Sequence, residues 1–431
     1  MIDLDLIRKE PAKVEENLAR RKNPVVLRLL TEVRQRDEEW RASLRASDEL
    51  RRRRNEFSRR IGESRAKGVP SAELEAEAKA LPDALRAAET HEAELLHARD
   101  ALLLRIPNLM DESVPFGTND TENVVVATWG EPNRDGSSLK SHSEVLEALG
   151  MAEFDRAHRV SGAGFYYLRG PVVLLDLALQ RFALDLLAER GFTPVAPPYV
   201  LRRAPYEGVT DLADFENVMY KLEGEDLYLI ATSEHPLAAL YQGEILDEDE
   251  LPFRLAGVSP CFRKEIGGHG VDQKGIFRVH QFQKVEQFVF CRPEESPTIL
   301  EELRTNAEEV FRRLGVPYRV VNVCTGDLGS VAAKKYDIEA WFPRQQAFRE
   351  VVSCSNCTDY QARRLGIRLG KAGRPGKRVP HTLNSTAVAT SRGLAVILEQ
   401  FQQPDGSVTI PEVLRPYLGG RSSLTRAPPR A

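Results

Sequence analysis

The sequence has little cysteine, no long apolar run and no overall basic charge. Five cysteines in 431 residues are few and odd in number, which argues against a disulfide framework and for a reducing, cytoplasmic setting. No stretch of about 18 apolar residues occurs, so neither a membrane-spanning helix nor a membrane partner is expected. Residues 1–10 alternate acidic and apolar side chains and lack the basic start and apolar centre of a secretory leader. The formal net charge is -4. Nucleic-acid binders often declare themselves by bulk basicity, so any such role here must rest on local charge. What is present is an ordinary globular balance, 42% hydrophobic and 29% charged. That excludes wholesale disorder and leaves room for about two to four domains.

Charge and glycine divide the chain. Residues 1–110 contain almost no glycine and few strand signals. From Thr31 to Ala66 they are rich in Arg, Glu, Ala and Leu, all good helix formers. Gly68-Val69-Pro70 breaks the pattern, and a second helical run follows over Ser71–Arg105. There Leu74, Leu81, Ala88, Leu95 and Leu102 recur every seven residues, with Ala78, Leu85 and Ile106 interleaved and Glu92 and Arg99 as interruptions. Two long helices joined by a short turn form an antiparallel pair, so the spacing predicts a two-helix coiled-coil arm about 50 Å long. Residues 41–67 carry ten Lys/Arg against four Asp/Glu, and residues 71–105 carry four against eight. The cluster Arg51-Arg52-Arg53-Arg54, with Arg59 and Arg60, fits either the solvated face of a coil or a stripe that tracks phosphates along RNA.

Beyond Pro107, Gly, Pro, Val, Tyr and Phe become common. Strands are expected at Val124–Thr128, Leu227–Ala231, Phe253–Phe262, Ile276–Phe290, Tyr318–Val323, Ile338–Phe342 and Phe348–Ser353. Helices are expected at Pro171–Arg190, Pro236–Tyr241, Ser296–Leu314 and Ser391–Gln402. Consecutive strands with separate helices indicate an α+β domain on an antiparallel sheet. Residues 421–431 read as a flexible tail.

The richest chemistry lies in Cys261–Glu265, a glycine-rich loop, and Ile276–Glu286. Period two places Arg278, His280, Phe282 and Glu286 on one face. Such a face either meets water or, with Arg263 from the first segment, converges on a ligand: arginine grips phosphate, phenylalanine stacks on a base, and glutamate takes an ammonium or hydroxyl. Thr232 and Glu234 fit a substrate loop or simply the capped start of a helix. Cys354 and Cys357 have the spacing of half a zinc site, but no further pair accompanies them. They read as small core residues.

Phe262-Arg263-Lys264-Glu265, the loop, and Phe277-Arg278-Val279-His280-Gln281-Phe282 resemble motif 2 of the class II aminoacyl-tRNA synthetases, in the version of the seryl-tRNA synthetases. Three other stretches agree in family order. Gly191–Pro198 resembles motif 1. Ala231–Leu237 resembles the Thr-x-Glu serine loop. Asn384–Arg392 resembles motif 3. The likeness covers about residues 1–418 and is nearest to the archaeal branch of the bacterial-type enzymes.

The resemblance implies an ATP-dependent serine–tRNA ligase: an N-terminal tRNA-binding arm over 1–110 and a class II catalytic domain over 111–420. L-serine and ATP, with Mg2+, give seryl-adenylate and pyrophosphate. Serine then passes to the 3′-terminal adenosine of tRNA(Ser), and of tRNA(Sec) where that exists. Arg263 and Arg392 are implied as catalytic. Thr232, Ser233, Glu234, Arg263, Glu286, Asn384 and Thr386 are implied for serine. For ATP the matching residues are Arg263, Lys264, Glu265, Arg278, Val279, Phe282, Glu350, Val351, Val352, Ser353 and Arg392, with Glu350 and Ser353 on Mg2+. His269, Asp272 and Lys274 in the loop are candidates for touching the tRNA acceptor end. Motif 1 implies a homodimer. Two alternatives stand beside this reading: a paralogue that loads a carrier protein, and a non-catalytic coiled-coil protein on a retired synthetase fold.

Overall fold

In the computed structural model the chain is described over residues 1–68, 70, 72–210, 218–265, 275–371, 374–376 and 378–426. Val69 and Ser71 at the expected turn, and the loop residues His269, Asp272 and Lys274, lie outside the described residues. The chain divides into two compact units, Met1–Pro107 and Asn108–Ala431.

The first unit is all helix: α1 Leu4–Lys9, α2 Pro11–Ala19, α3 Pro24–Ala66 and α4 Ala72–Leu103. Asn23 starts α3 by accepting the Val25 N–H at 3.0 Å, with Pro24 as first residue, where its missing N–H costs nothing. The helix begins seven residues before the expected Thr31, and α4 continues through Pro82. Cross-pairs fix the antiparallel sense: as one number rises the other falls, through Asp37–Arg99, Arg51–Glu89 and Arg65–Glu75. Leu81, Leu85 and Leu95 are buried as the heptad requires.

The heptad's two polar interruptions have partners. Arg99 is buried, bonds Asp37 at 3.3 Å and lies 4.7 Å from the Trp40 ring centre. Glu92 lies 3.8 Å from Arg51. Asp37, 3% exposed, also receives Arg8 at 2.6 and 2.8 Å. Burial pushes its carboxyl up, but Arg8, Arg41 and Arg99 outweigh it and hold it below the ordinary aspartate value.

The second unit is built on an eight-stranded sheet: β1 Val124–Trp129, β2 Thr193–Val195, β3 Phe253–Phe262, β4 Gln281–Cys291, β5 Tyr318–Asn322, β6 Lys334–Phe342, β7 Ala347–Thr358 and β8 His381–Ala389, in the order β1-β5-β6-β7-β8-β4-β3-β2. Every pair is antiparallel except β2 with β3 at one edge. Helices α5 Pro171–Glu189, α6 Ser296–Leu314 and α7 Thr390–Gln400 share one core with the sheet. In α6, Ile299, Leu303, Ala307, Val310 and Leu314 form the buried stripe.

Two expectations fail. Segment 276–280 is not strand; β4 starts at Gln281. The tail does not begin at 421, because Ser423–Leu424 pairs with Val408–Thr409 and Leu424 is fully buried. The central strand β8 was not expected, because His, Thr, Asn and Ser dilute its strand signal.

Candidate functional site

Strand alternation sets the site. On β4, Val285 and Val289 enter the helix-side core, while Phe282, Lys284 and Glu286 line a cavity on the other face. The cavity encloses about 440 Å³. Its wall is completed by Thr232 just before helix Glu234–Ala238, Glu234 as that helix's first residue, Arg263 and Glu265 after β3, Arg278 and Val279 before β4, Glu350, Val351 and Ser353 on β7, Asn384 and Thr386 on β8, and Arg392 in the first turn of α7.

Two bulges make this possible. On a regular strand, Glu350 and Ser353 would face opposite ways, being three apart. Ile338 pairs with Val352 and Glu339 with Glu350, so Val351 is an extra residue that resets the phase. On β8, Thr386 pairs with Glu286 and Val388 with Val285, so Ala387 is extra there and Ala389 also reaches the wall.

One end of the cavity is rich in carboxylates. Lys284 Nζ lies 2.5 Å from Glu286 Oε2, both nearly inaccessible to solvent, and the Thr386 hydroxyl donates to the same oxygen at 3.3 Å. Thr232 Oγ1 accepts the Glu234 N–H at 3.1 Å, a local turn bond leading into the short helix, and Thr232 lines the cavity as well. Burial, then repulsion from Glu286, pushes the Glu234 carboxyl up to about 7, against Lys284, Gln361 and Arg263. Beneath the loop, the Tyr206 hydroxyl meets His235 Nδ1 at 2.9 Å and accepts the Ala231 N–H at 3.1 Å. Burial, with Lys284 and Arg263, pushes His235 down to about 3, which keeps the ring neutral.

The other end is rich in arginine. Arg263 Nε donates to the Ala231 carbonyl at 3.3 Å, and its guanidinium lies 5.4 Å from the Phe282 ring centre. Arg392 donates to the Glu350 carbonyl at 2.9 Å and its carboxylate at 3.1 Å, and lies 5.1 Å from the Phe277 ring. Desolvation inside the cleft works the other way, but Arg392, Lys335 and Arg263 hold Glu350 below the usual glutamate value. Arg278 faces Glu265 at 3.5 Å. Aromatic faces, backbone carbonyls and the carboxylates of Glu265 and Glu350 thus hold these guanidiniums.

Not every expected residue lines this wall. Ser233 is buried against Gly257, where any Cβ would come within 2.7 Å of its hydroxyl. Val352 points into the core, on the far side of its strand. Lys264 is tied in by its backbone N–H to Val218, and its side chain is not part of the wall. His280 leaves the face assigned to it, because the segment before β4 is not strand; its ring stacks on Phe165 at 5.1 Å and bonds the Tyr220 hydroxyl. Conversely, Lys284, Lys335 and Cys357 line the cavity unexpectedly. Lys284 was legible, since it lies midway between Phe282 and Glu286 in the same alternation.

Comparison with known proteins settles the family. Residues 1–110 match the family model "Seryl-tRNA synthetase N-terminal domain", and residues 218–401 match the "tRNA synthetase class II core domain (G, H, P, S and T)". The serine–tRNA ligase of Methanocella arvoryzae is 57% identical over 98% of this chain and 100% of its own. The chain belongs to the seryl-tRNA synthetase family. The solved seryl-tRNA synthetase from Pyrococcus horikoshii, complexed with ATP, is 49% identical and superposes with a TM-score of 0.93 over 99% of this chain and 100% of its own. The cytoplasmic serine–tRNA ligase of Naegleria fowleri in complex with AMP gives 0.88 at 37% identity, covering 99% of both chains. This enzyme is therefore an ATP-dependent serine–tRNA ligase, forming seryl-adenylate and pyrophosphate and then charging tRNA. No described helix is long and apolar enough to cross a membrane.

Proposed function

We propose that the cavity holds serine at its carboxylate end and ATP along its arginines. The observation that carries this is the single cavity joining Glu234, Glu286 and Thr386 to Arg263, Arg278 and Arg392. Glu234 takes the serine ammonium. Glu286 and Thr386 take the hydroxyl, since one Glu286 oxygen is already engaged by Lys284 and Thr386. Thr232 and Asn384 close the pocket. Phe282 stacks on adenine, with Glu265, Arg278 and Val279 beside the nucleotide. Arg263 bridges the serine carboxylate and the α-phosphate, and Arg392 takes the γ-phosphate at the positive end of α7.

Glu350 and Ser353 would hold Mg2+, because oxygen donors suit a hard cation that keeps several waters. Their surroundings fit: Asp337 pairs with Ser353 on the neighbouring strand, and its Oδ1 is buried without a hydrogen-bond partner among the described residues. Bound there, the cation supplies charge neutralisation for the phosphates. A serine carboxylate oxygen attacks the α-phosphorus and pyrophosphate leaves. The ribose hydroxyl of the terminal adenosine then attacks the seryl carbonyl and AMP leaves. The substrate carboxylate is already an anion, so the first step needs positioning and charge stabilisation rather than a base.

The helical unit binds tRNA(Ser), and tRNA(Sec) by the same backbone chemistry, through Arg53, Arg54 and Arg60. These are exposed and make no ion pair among the described residues. Exposed Val173, Leu174 and Leu177 on α5 fit a homodimer contact, and five free, buried cysteines fit a reducing cytoplasm.

Amino-acid-dependent pyrophosphate exchange, comparing serine, threonine, alanine and glycine, tests the pocket. A site built to bond a hydroxyl rejects alanine by about 10⁴–10⁵. Comparable exchange with alanine overturns the assignment of Glu286 and Thr386.

A further inference from the structure

A carboxylate beside another carboxylate, inside a wall, tends to take up a proton. Something must keep Glu234 an anion if it is to meet an ammonium. The charged groups facing it are Glu286 and Lys284 on β4 and Arg263 after β3. The Cys357 thiol and the Tyr206 hydroxyl also feel its charge, and the neutral His235 ring is next to it in sequence. Lys284, engaged by Glu286 at 2.5 Å, favours the charged form of Glu234 most, but through its charge and with no hydrogen bond that would orient the carboxylate.

The group that hydrogen-bonds the Glu234 carboxylate is Gln361, fully buried in helix Tyr360–Arg364. Its Nε2 donates to Glu234 Oε1 at 2.8 Å and to the Val209 carbonyl at 3.1 Å, and its Oε1 accepts the Thr382 hydroxyl at 2.7 Å. Its orientation is not free. The Val209 carbonyl can only accept, so the amide end beside it must be the NH2. That same NH2 faces Glu234, and the Thr382 hydroxyl occupies the amide oxygen.

We propose that Gln361 is a positioning residue for amino-acid binding: by donating to one oxygen of Glu234 it holds the carboxylate so that the other oxygen meets the substrate ammonium. Gln361 is not a catalytic residue, because it acts through Glu234. The inference rests on Glu234 as the ammonium partner. A donor to a carboxylate favours its charged form. Removing that donor raises the pH at which Glu234 ionises, so serine binding weakens at neutral pH and recovers as the pH rises.

The test is pyrophosphate exchange by the full chain carrying Gln361→Met, which keeps the volume and removes the donor. The KM for serine rises about 10–100-fold, as for the loss of one hydrogen bond to a charged group, while the KM for ATP stays unchanged. Moving from about pH 7 to about pH 8.5 recovers part of the loss. Thr382→Val, which frees the amide to turn, produces a smaller rise in the same direction and decides the matter if Gln361→Met does not fold. Equal changes in both KM values and kcat, or a loss that pH does not relieve, make Gln361 a packing residue and overturn the proposal. Glu234→Gln separates the two layers. If it leaves the KM for serine unchanged, the reading of Glu234 falls and takes Gln361 with it. If it raises that KM while Gln361→Met does not, Gln361 alone falls.

Discussion

Arginine does two different jobs in the two units. On α3 it is mostly spent on acids at the surface: Arg51 faces Asp48 and Glu89, and Arg52 faces Glu49. In the proposed catalytic cavity, Arg263 is positioned by a backbone carbonyl and an aromatic ring, and Arg392 by the Phe277 ring and by one residue, Glu350, through both its carbonyl and its carboxylate. The same contrast holds for carboxylates. Asp37 lies under three arginines, whereas burial, and then the neighbouring Glu286, push Glu234 up to about 7. In the helical unit charge is neutralised for stability. In the cavity it is concentrated, at a cost in stability, for binding.

The contrast breaks most sharply at Lys284. Lys284→Met leaves Glu286 buried without its partner, so unfolding free energy drops by about 3–5 kcal/mol, read from denaturant titration. An unchanged midpoint would mean that the pair contributes nothing to the fold. Arg263→Ala removes a preorganised donor and lowers kcat for pyrophosphate exchange by about 10²–10³-fold, with little change in melting temperature. Equal losses of stability and rate would instead make Arg263 structural.

How much of this was legible in the sequence depends on period. Strand β3 and helix α6 match their expected bounds, because apolar spacing and flanking Pro and Gly mark them plainly. The face carrying Phe282 and Glu286 followed from alternation. The joint presence of Glu350 and Ser353 in the cavity did not, since only the extra residue Val351 turns both the same way. Strand β8 escaped because its polar residues line a buried site instead of a core. Gln361 gave no signal, as its role depends on Val209 and Thr382, which only the fold brings to it.

The smallest expected effect sharpens the other side of the comparison. Arg51→Ala removes exposed ion pairs and costs about 1 kcal/mol or less, measured by thermal unfolding. A loss several times larger would show that the helical unit depends on surface charge after all.

The central claim is that serine activation belongs to the cavity and tRNA binding to Arg53, Arg54 and Arg60 of α3, which make no ion pair among the described residues. The most direct measurement is made on one preparation of the Arg53→Ala/Arg54→Ala/Arg60→Ala protein, which is assayed for pyrophosphate exchange without tRNA and for tRNA charging across salt concentrations. The account predicts unchanged exchange, a raised KM for tRNA, and a salt dependence shallower by about 0.7–0.9 for each phosphate no longer neutralised. Impaired exchange, or charging that is unaffected at every salt concentration, would contradict it.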